Sequence, residues 1–507
     1  MRTKYSMINS IVVILLNIVT IIIGFIAQKI FINILGIEYL GVNGLFSNIL
    51  SMLAIIELGL GSAIVFHLYK PIADNNKEEI KSLIDYYKKA YRIIAVIVAV
   101  IGLSLIFFLD KIVGEVHINE NITYLYLLCL VDVVASYLLT YKRSILYASQ
   151  KTYIVNIIHI FYLVFLNFFQ LFLLYKTHNY SLYLWIKIIF RIIENLIITY
   201  VANRMYPFLK EKNIRKLNNG IKSNILSKIK GLLFHKIGSF IVLGTDNIII
   251  SVFLGVKYVG LYDNYYLILN KTQGLFSQIF SSITASVGNL LIENNTSKSY
   301  IIYKTFLLIN SWMFMLVSSI ILCIIQPFIT LWIGQEYILP FSVLIVLIIN
   351  FYIQGLRITS LTFKNAAGIF YEDRFMPIIE ALINIIVSII LVKIYGLKGV
   401  FLGTISSTII LFLYGYYKYA YKNIFKRNYY QYLKDYIPFI ILPFISGITS
   451  FFVSSSLILN NIILQMIYNF AVSFIISNII YCLCFYKTKE FSNILSYIKV
   501  FLNKKKR

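Results

Sequence analysis

Charged residues are scarce. They make up 13% of the 507 residues, while hydrophobic residues make up 59%. Soluble domains run near ~45–50% apolar and ~25% charged, so a soluble globule is excluded. Histidine and cysteine are rare too, with five and four copies. Cys129, Cys323, Cys482 and Cys484 all lie inside apolar runs. They read as membrane-buried small hydrophobes, not as disulfides or metal ligands. The Cys482-x-Cys484 spacing is too short for the usual metal or redox motif. His67, His117, His159, His178 and His235 are scattered and read as loop or interface residues. No His/Asp/Glu cluster has metal-ligand spacing and no Walker-type loop is present, so no cofactor is expected. No cleavable signal peptide is evident. The first apolar run, Ile8 to Leu35, is too long and lacks a small-residue cleavage site, so it reads as an anchor.

What is abundant is apolar sequence in blocks of ~20 residues, each long enough to cross ~30 Å of hydrocarbon. Strand alternation is absent from these blocks, which sets a β-barrel aside. The expected fold is an all-α polytopic membrane protein of about 14 transmembrane helices. The spans are placed at 8–35, 41–66, 92–110, 121–141, 153–175, 182–203, 231–254, 260–290, 301–325, 339–362, 375–395, 398–420, 436–458 and 461–486.

One stretch occurs twice. Leu35-Gly36-Ile37-Glu38-Tyr39-Leu40-Gly41-Val42 returns as Leu254-Gly255-Val256-Lys257-Tyr258-Val259-Gly260-Leu261. Each copy joins one apolar run to the next, and glycine supplies the positive φ of such a hairpin. Six apolar runs fill one period, which returns the chain to the same side of the membrane. Two six-helix lobes related as parallel repeats are therefore expected, as among secondary transporters. The lobes fall at 1–204 and 231–420. A basic, amphipathic cytoplasmic linker at 205–230 carries Ile214, Leu217, Ile221, Ile225 and Ile229 at helical spacing. Two further helices and a basic tail occupy 421–507.

The net charge of +25 suggests a nucleic-acid partner until its distribution is followed. About 35 of the 46 basic residues fall in alternate loops, which the positive-inside rule accounts for. No nucleic acid is expected as a partner. Both termini and the linker are expected on the cytoplasmic face of the membrane. The opposite loops are short, leaving little room for the acidic active site of a membrane glycosyltransferase or polymerase, so no enzyme is expected.

Ionisable residues at mid-depth default to function, because an uncompensated charge there is costly. Lys271 lies ~16 Å inside its span, and Arg191 ~13 Å, with Lys187 one turn away on the same face. These three, with Lys236 and Arg357 nearer the cytoplasm, are the candidate substrate-binding cations. Asp246, Asp132, Glu57 and Glu194 are the candidate coupling-ion residues. Glu194 is three residues from Arg191 and also suits an intrahelical ion pair. Lys29, close to a span end, can snorkel to the interface.

Several runs resemble Wzx-type polysaccharide flippases. They are Gly231-Leu-Leu-Phe-His-Lys-Ile-Gly238, Thr245-Asp246-Asn247-Ile248-Ile249-Ile250-Ser251 and Gly260-Leu261-Tyr262-Asp263-Asn264-Tyr265. Glu57-Leu-Gly-Leu-Gly-Ser-Ala63, Leu331-Trp-Ile-Gly334, Ala381-Leu-Ile-Asn384 and Gly396-Leu-Lys-Gly-Val-Phe-Leu-Gly403 are similar too. The resemblance covers nearly the whole chain and rests on the order and spacing of these runs. It places the chain in a superfamily shared with multidrug exporters and the lipid II flippase. It implies two six-helix lobes plus two helices, alternating access and an ion gradient as the drive. The implied substrate is a polyprenyl-diphosphate-linked oligosaccharide, the repeat unit of a capsule, exopolysaccharide or O-antigen. The implied partners are the lipid bilayer, a polysaccharide polymerase and other assembly proteins. An ion-coupled exporter of drugs or amphiphiles on the same fold is the alternative, governed by Asp132, Glu194 and Asp246. A membrane glycan polymerase is a further alternative from another class.

The loop charges predict that a cysteine placed at Asn213 resists impermeant thiol reagents added outside intact cells. Strong labelling there would reverse the orientation.

Overall fold

The computed structural model describes residues 2–53, 57, 60–211, 214–215, 217–293, 295–369 and 372–504. Within these, the side chains at 2–4, 6–7, 62, 226–243, 285 and 497–504 are not described. No strand occurs among the described residues. The first helices are α1 (Arg2–Leu35), α2 (Ile37–Leu53), α3 (Leu60–Ala73), α4 (Lys77–Ser104), α5 (Leu109–Val113) and α6 (Ile122–Leu138). Then come α7 (Arg143–Ala148), α8 (Thr152–Thr177), α9 (Tyr180–Met205), α10 (Asn219–Leu254), α11 (Val256–Ser282) and α12 (Thr284–Ile292). The chain continues with α13 (Thr296–Trp332), α14 (Phe341–Ala366), α15 (Met376–Tyr395) and α16 (Leu397–Ile410). It ends with α17 (Asn423–Phe425), α18 (Tyr429–Ser455), α19 (Ile462–Phe485) and α20 (Lys489–Lys504).

Asparagine starts many of these helices. Asn76, Asn121, Asn179, Asn295 and Asn428 each accept a backbone N–H of the first turn. Asn461 accepts two, satisfying donors that the helix leaves unpaired. Ten helices among the described residues are long and apolar enough to cross a membrane, or eleven if a bent pair in α11–α12 counts as one span. The chain is a multi-pass membrane protein. The expected span 41–66 is divided between α2 and α3, and the expected span 182–203 lies in α9.

The chain forms two compact units, Met1–Gly260 and Leu261–Arg507. In the first, α1 packs on α8, α8 on α9, α4 and α9 on α6, and α10 on α2. In the second, α15 and α16 form a hairpin, and α13 packs against α14, α18 and α19. The last two long helices are thus built into the second unit, and polar pairs hold them there. Ser446 lies 2.9 Å from Ser319 and 2.8 Å from Ser477. Asn469 donates to the Cys323 carbonyl at 2.9 Å. On α19 the buried residues are Asn469, Ser473, Ser477, Tyr481 and Phe485, while Ile467, Phe474 and Leu483 are exposed. Small and polar residues inside with apolar residues outside is the pattern expected in lipid.

The linker departs from the sequence expectation. The described residues Ile214 and Leu217 are not helical. The helix starts at Asn219, behind the Asn218 cap, and runs unbroken to Leu254. Residues 212, 213 and 216 lie outside the described residues. The segment before Asn218 is tied to α4 instead. Lys81 meets Glu211 at 2.7 Å, and the Ser82 hydroxyl donates to the Arg215 carbonyl at 2.8 Å.

The repeated stretch shows its purpose here. Gly36 and Gly255 each form a one-residue break between helices, with φ of +92° and +95°. The second glycines do something else. A Cβ on Gly41 would strike the Val256 carbonyl, and a Cβ on Gly260 would strike the Ile37 carbonyl. Gly41 aligns with Gly260, and Ile37 with Val256, so the contact is reciprocal. Overpacking of this kind destabilises by about 1–3 kcal/mol. Gly41→Ala and Gly260→Ala should each lower the melting temperature in detergent. Gly274→Ala, where a Cβ meets nothing within 4 Å, should not.

Candidate functional site

Four ionisable or amide residues stand along α9 at Lys187, Arg191, Glu194 and Asn195. This spacing places them on one face of the helix. That face meets α6 at Asp132, whose side chain is 7% exposed. Lys187 approaches one Asp132 oxygen at 3.3 Å and Arg191 the other at 3.3 Å. The Arg191 guanidinium also lies over the Tyr162 ring, 5.0 Å from its centre.

Glu194 is the hub of the same network, and its side chain has no exposed surface. Arg191 reaches it at 3.4 Å, so the intrahelical pair read from the sequence is present. Two further partners come from other helices. Arg143, at the start of α7, lies 3.2 Å from Glu194, and the His159 Nδ1 on α8 lies 2.8 Å from it. Arg143 also donates to the Asn195 side chain at 2.8 Å. Three fixed cations therefore surround two carboxylates, and the excess is positive.

Arg143 and Arg191 line a cavity of about 610 Å³ inside the first unit. Glu57 lines it as well and accepts the Tyr91 hydroxyl, which Tyr87 approaches at 3.0 Å. The structure thus brings together Arg191, Lys187, Asp132 and Glu194, and puts Glu57 on the same cavity as Arg191. Sequence reasoning missed Arg143 and His159. Arg143 falls between the expected spans 121–141 and 153–175, where a cytoplasmic loop is expected, but a short 3₁₀ turn at Thr140–Lys142 and the α7 turn after it fold back against α9. His159 was read as an interface residue, and its position seven residues into α8 was the available signal.

The other candidates lie elsewhere. Asp246 on α10 is buried, and the side chain of Lys236 lies outside the described residues. In the second unit, Arg357 makes a two-pronged pair with Glu380 at 2.8 and 3.1 Å and donates to Tyr416 at 2.6 Å. Glu380 was not singled out from the sequence. Lys271, on α11, is half-buried and has no ion-pair partner among the described residues. Lys29 is exposed on α1. Among the described residues, no group of three His, Cys, Asp or Glu side chains is placed to hold a metal ion.

The second unit has a cavity of the opposite character. About 670 Å³ is enclosed by α13, α14, α16 and α18, with Ile348, Ile353, Phe412, Ile440 and Phe444 in its wall. Its few hydroxyl-bearing residues are Ser318 and Ser319 on α13 and Tyr352 on α14.

No family model matches the chain, and no curated protein matches it. Solved structures do. The lipid II flippase MurJ in an inward closed conformation superposes with a TM-score of 0.67 at 16% identity, over 94% of this chain and 99% of that one. An inward-facing multidrug resistance transporter of the MATE family in the MOP superfamily gives 0.61 at 15% identity, over 78% and 93%. A Vibrio cholerae MATE transporter gives 0.55 at 15% identity, over 85% and 100%. The likeness to these structures is one of fold.

Removing one partner from a buried ion pair is expected to lose about 3–5 kcal/mol, because the other charge stays buried. Glu194→Ala should therefore lower the melting temperature in detergent sharply. Glu293→Ala breaks an exposed pair with Lys298 and should leave it nearly unchanged.

Proposed function

We propose that the protein is a flippase for a polyprenyl-diphosphate-linked oligosaccharide. It carries the repeat unit of a capsule, exopolysaccharide or other surface polysaccharide from the cytoplasmic to the outer leaflet of a bacterial cell membrane. The observation that carries this reading is the cation-rich network of Arg143, Arg191 and Lys187 beside a polar cavity within the spans. A diphosphate is the part of such a substrate that needs a cationic path through hydrocarbon. Arginine offers it a planar fork and lysine a point charge. The lipid tail can stay in the bilayer, since it has no need to leave an apolar medium. The fold shared with a lipid II flippase agrees with a lipid-linked substrate.

The alternative, export of drugs or amphiphiles, is favoured by the fold shared with MATE transporters. A cationic drug would need accessible carboxylates. Asp132 and Glu194 are both buried and both bound by cations, and the carboxylate that does line the cavity, Glu57, faces two arginines there, which weighs against a cationic ligand. Transport proceeds by alternating access of two six-helix lobes at 1–204 and 231–420, with both termini cytoplasmic. A polysaccharide polymerase receives the product. Lys271 is the candidate substrate-binding cation of the second unit, and Asp246, Asp132, Glu57 and Glu194 remain the candidates for the coupling ion.

Deleting the gene should leave lipid-linked repeat units on the inner leaflet. A strain that exports single units but fails to polymerise them would favour a polymerase instead. Complementation sharpens the test. Lys271→Ala and Lys271→Glu should fail to restore export although inserted normally, Lys271→Arg should restore part of it, and Lys29→Ala should restore it fully. Normal export with Lys271→Glu would remove Lys271 from the mechanism.

A further inference from the structure

The cavity of the first unit holds more than cations. Glu57, Tyr87, Tyr91, Tyr137 and Tyr147 share its wall with Arg143. Its volume, about 610 Å³, falls within the ~300–1,000 Å³ of small-molecule sites. The lining combines three chemistries. Aromatic faces pack against C–H surfaces. A carboxylate and phenolic hydroxyls take and give hydrogen bonds. A guanidinium meets an anion. One group in the wall is short of a partner. The Arg143 Nε is buried and has no hydrogen-bond partner among the described residues, although the guanidinium terminus is held by Asn195 and Glu194. A buried donor without an acceptor is unfavourable, and a ligand oxygen would relieve it. Arg191 is placed differently. It is bound to Asp132, within reach of Glu194 and over the Tyr162 ring.

We propose that this cavity is a glycosyl-phosphate subsite, which selects the first sugar of the repeat unit rather than the lipid. The phosphoryl oxygens meet Arg143. The sugar joined to them lies against the tyrosines, and its hydroxyls donate to Glu57. Tyr91, bonded to Glu57 and backed by Tyr87, fixes the carboxylate for that task. The inference rests on the flippase reading and adds to it the part of the substrate that is recognised, and the residues that recognise it.

The test is binding of two probes to the full-length protein in detergent. One is undecaprenyl diphosphate, and the other is the same lipid carrying one N-acetylglucosamine. Wild type should bind the glycosylated probe more tightly. A hydrogen bond to a charged group is stronger than one to a neutral amide, so Glu57→Gln should weaken the glycosylated probe about 10-fold. The bare lipid should change less than about twofold, so the preference between probes collapses. Arg143→Lys should weaken both probes alike and keep the preference. Tyr137→Phe, in the same wall, removes only a hydroxyl. It should reduce the preference by about threefold, and it decides the matter if Glu57→Gln does not fold. Equal effects of Glu57→Gln on both probes, or none on either, would overturn the subsite and leave the flippase reading standing. If wild type binds neither probe, the flippase reading falls and the subsite with it.

Discussion

A carboxylate with no exposed surface, Glu194, accepts from three helices at once: its own through Arg191, α7 through Arg143 and α8 through His159. Hydrocarbon offers an ion no solvation, so each charge must bring its counter-charge with it. Much of the first unit is laid out to meet this demand. Asp132 draws α6 to α9, and the pairs with Glu194 hold α7 and α8 to the same face. Tyr162 adds its ring to the Arg191 guanidinium. The cavity lies where these helices meet Glu57 and its tyrosines.

The second unit solves the problem differently. Its one described mid-helix arginine, Arg357, is neutralised by a single matched carboxylate, Glu380. Elsewhere hydroxyls and amides join the helices. Tyr303 and Tyr436 lie 2.5 Å apart, and Ser360 is within 2.9 Å of both. Near the end of the bundle, Asp435 accepts from Tyr300 and Tyr421 at 2.5 Å each, and Lys304 bridges towards Glu490 at 2.8 Å. The seam of Tyr303, Ser360 and Tyr436 carries no charge, while Asp435, Lys304 and Glu490 keep theirs near the end of the bundle.

Much of this was legible in the sequence because it is local. The period of the apolar runs marks the helices. The spacing of Lys187 and Arg191 puts them on one face, and both find Asp132 there. The positive φ of Gly36 and Gly255 follows from their place between two helices. The close approach at Gly41 and Gly260 does not, since a glycine pressed by a distant backbone looks like any other. Arg143 and His159 were missed for the same reason. Their partner is 51 and 35 residues away, and depth counted from a span end takes no account of a 3₁₀ turn that redirects the chain. In the linker, Ile221, Ile225 and Ile229 are helical as their spacing predicts, while Ile214 and Leu217 keep the same spacing ahead of the Asn218 cap, where the helix has not begun.

The polar face of α9 also constrains how the protein is made. A helix bearing Lys187, Arg191 and Glu194 partitions poorly into lipid on its own. The ribosome, however, delivers Asp132, Arg143 and His159 before it delivers α9. Their opposite charges are therefore waiting beside the translocon when that helix emerges. The order of residues along the chain is itself a device for insertion, and a rearranged gene that placed α9 ahead of α6 would send the same helix out with no counter-charge to receive it.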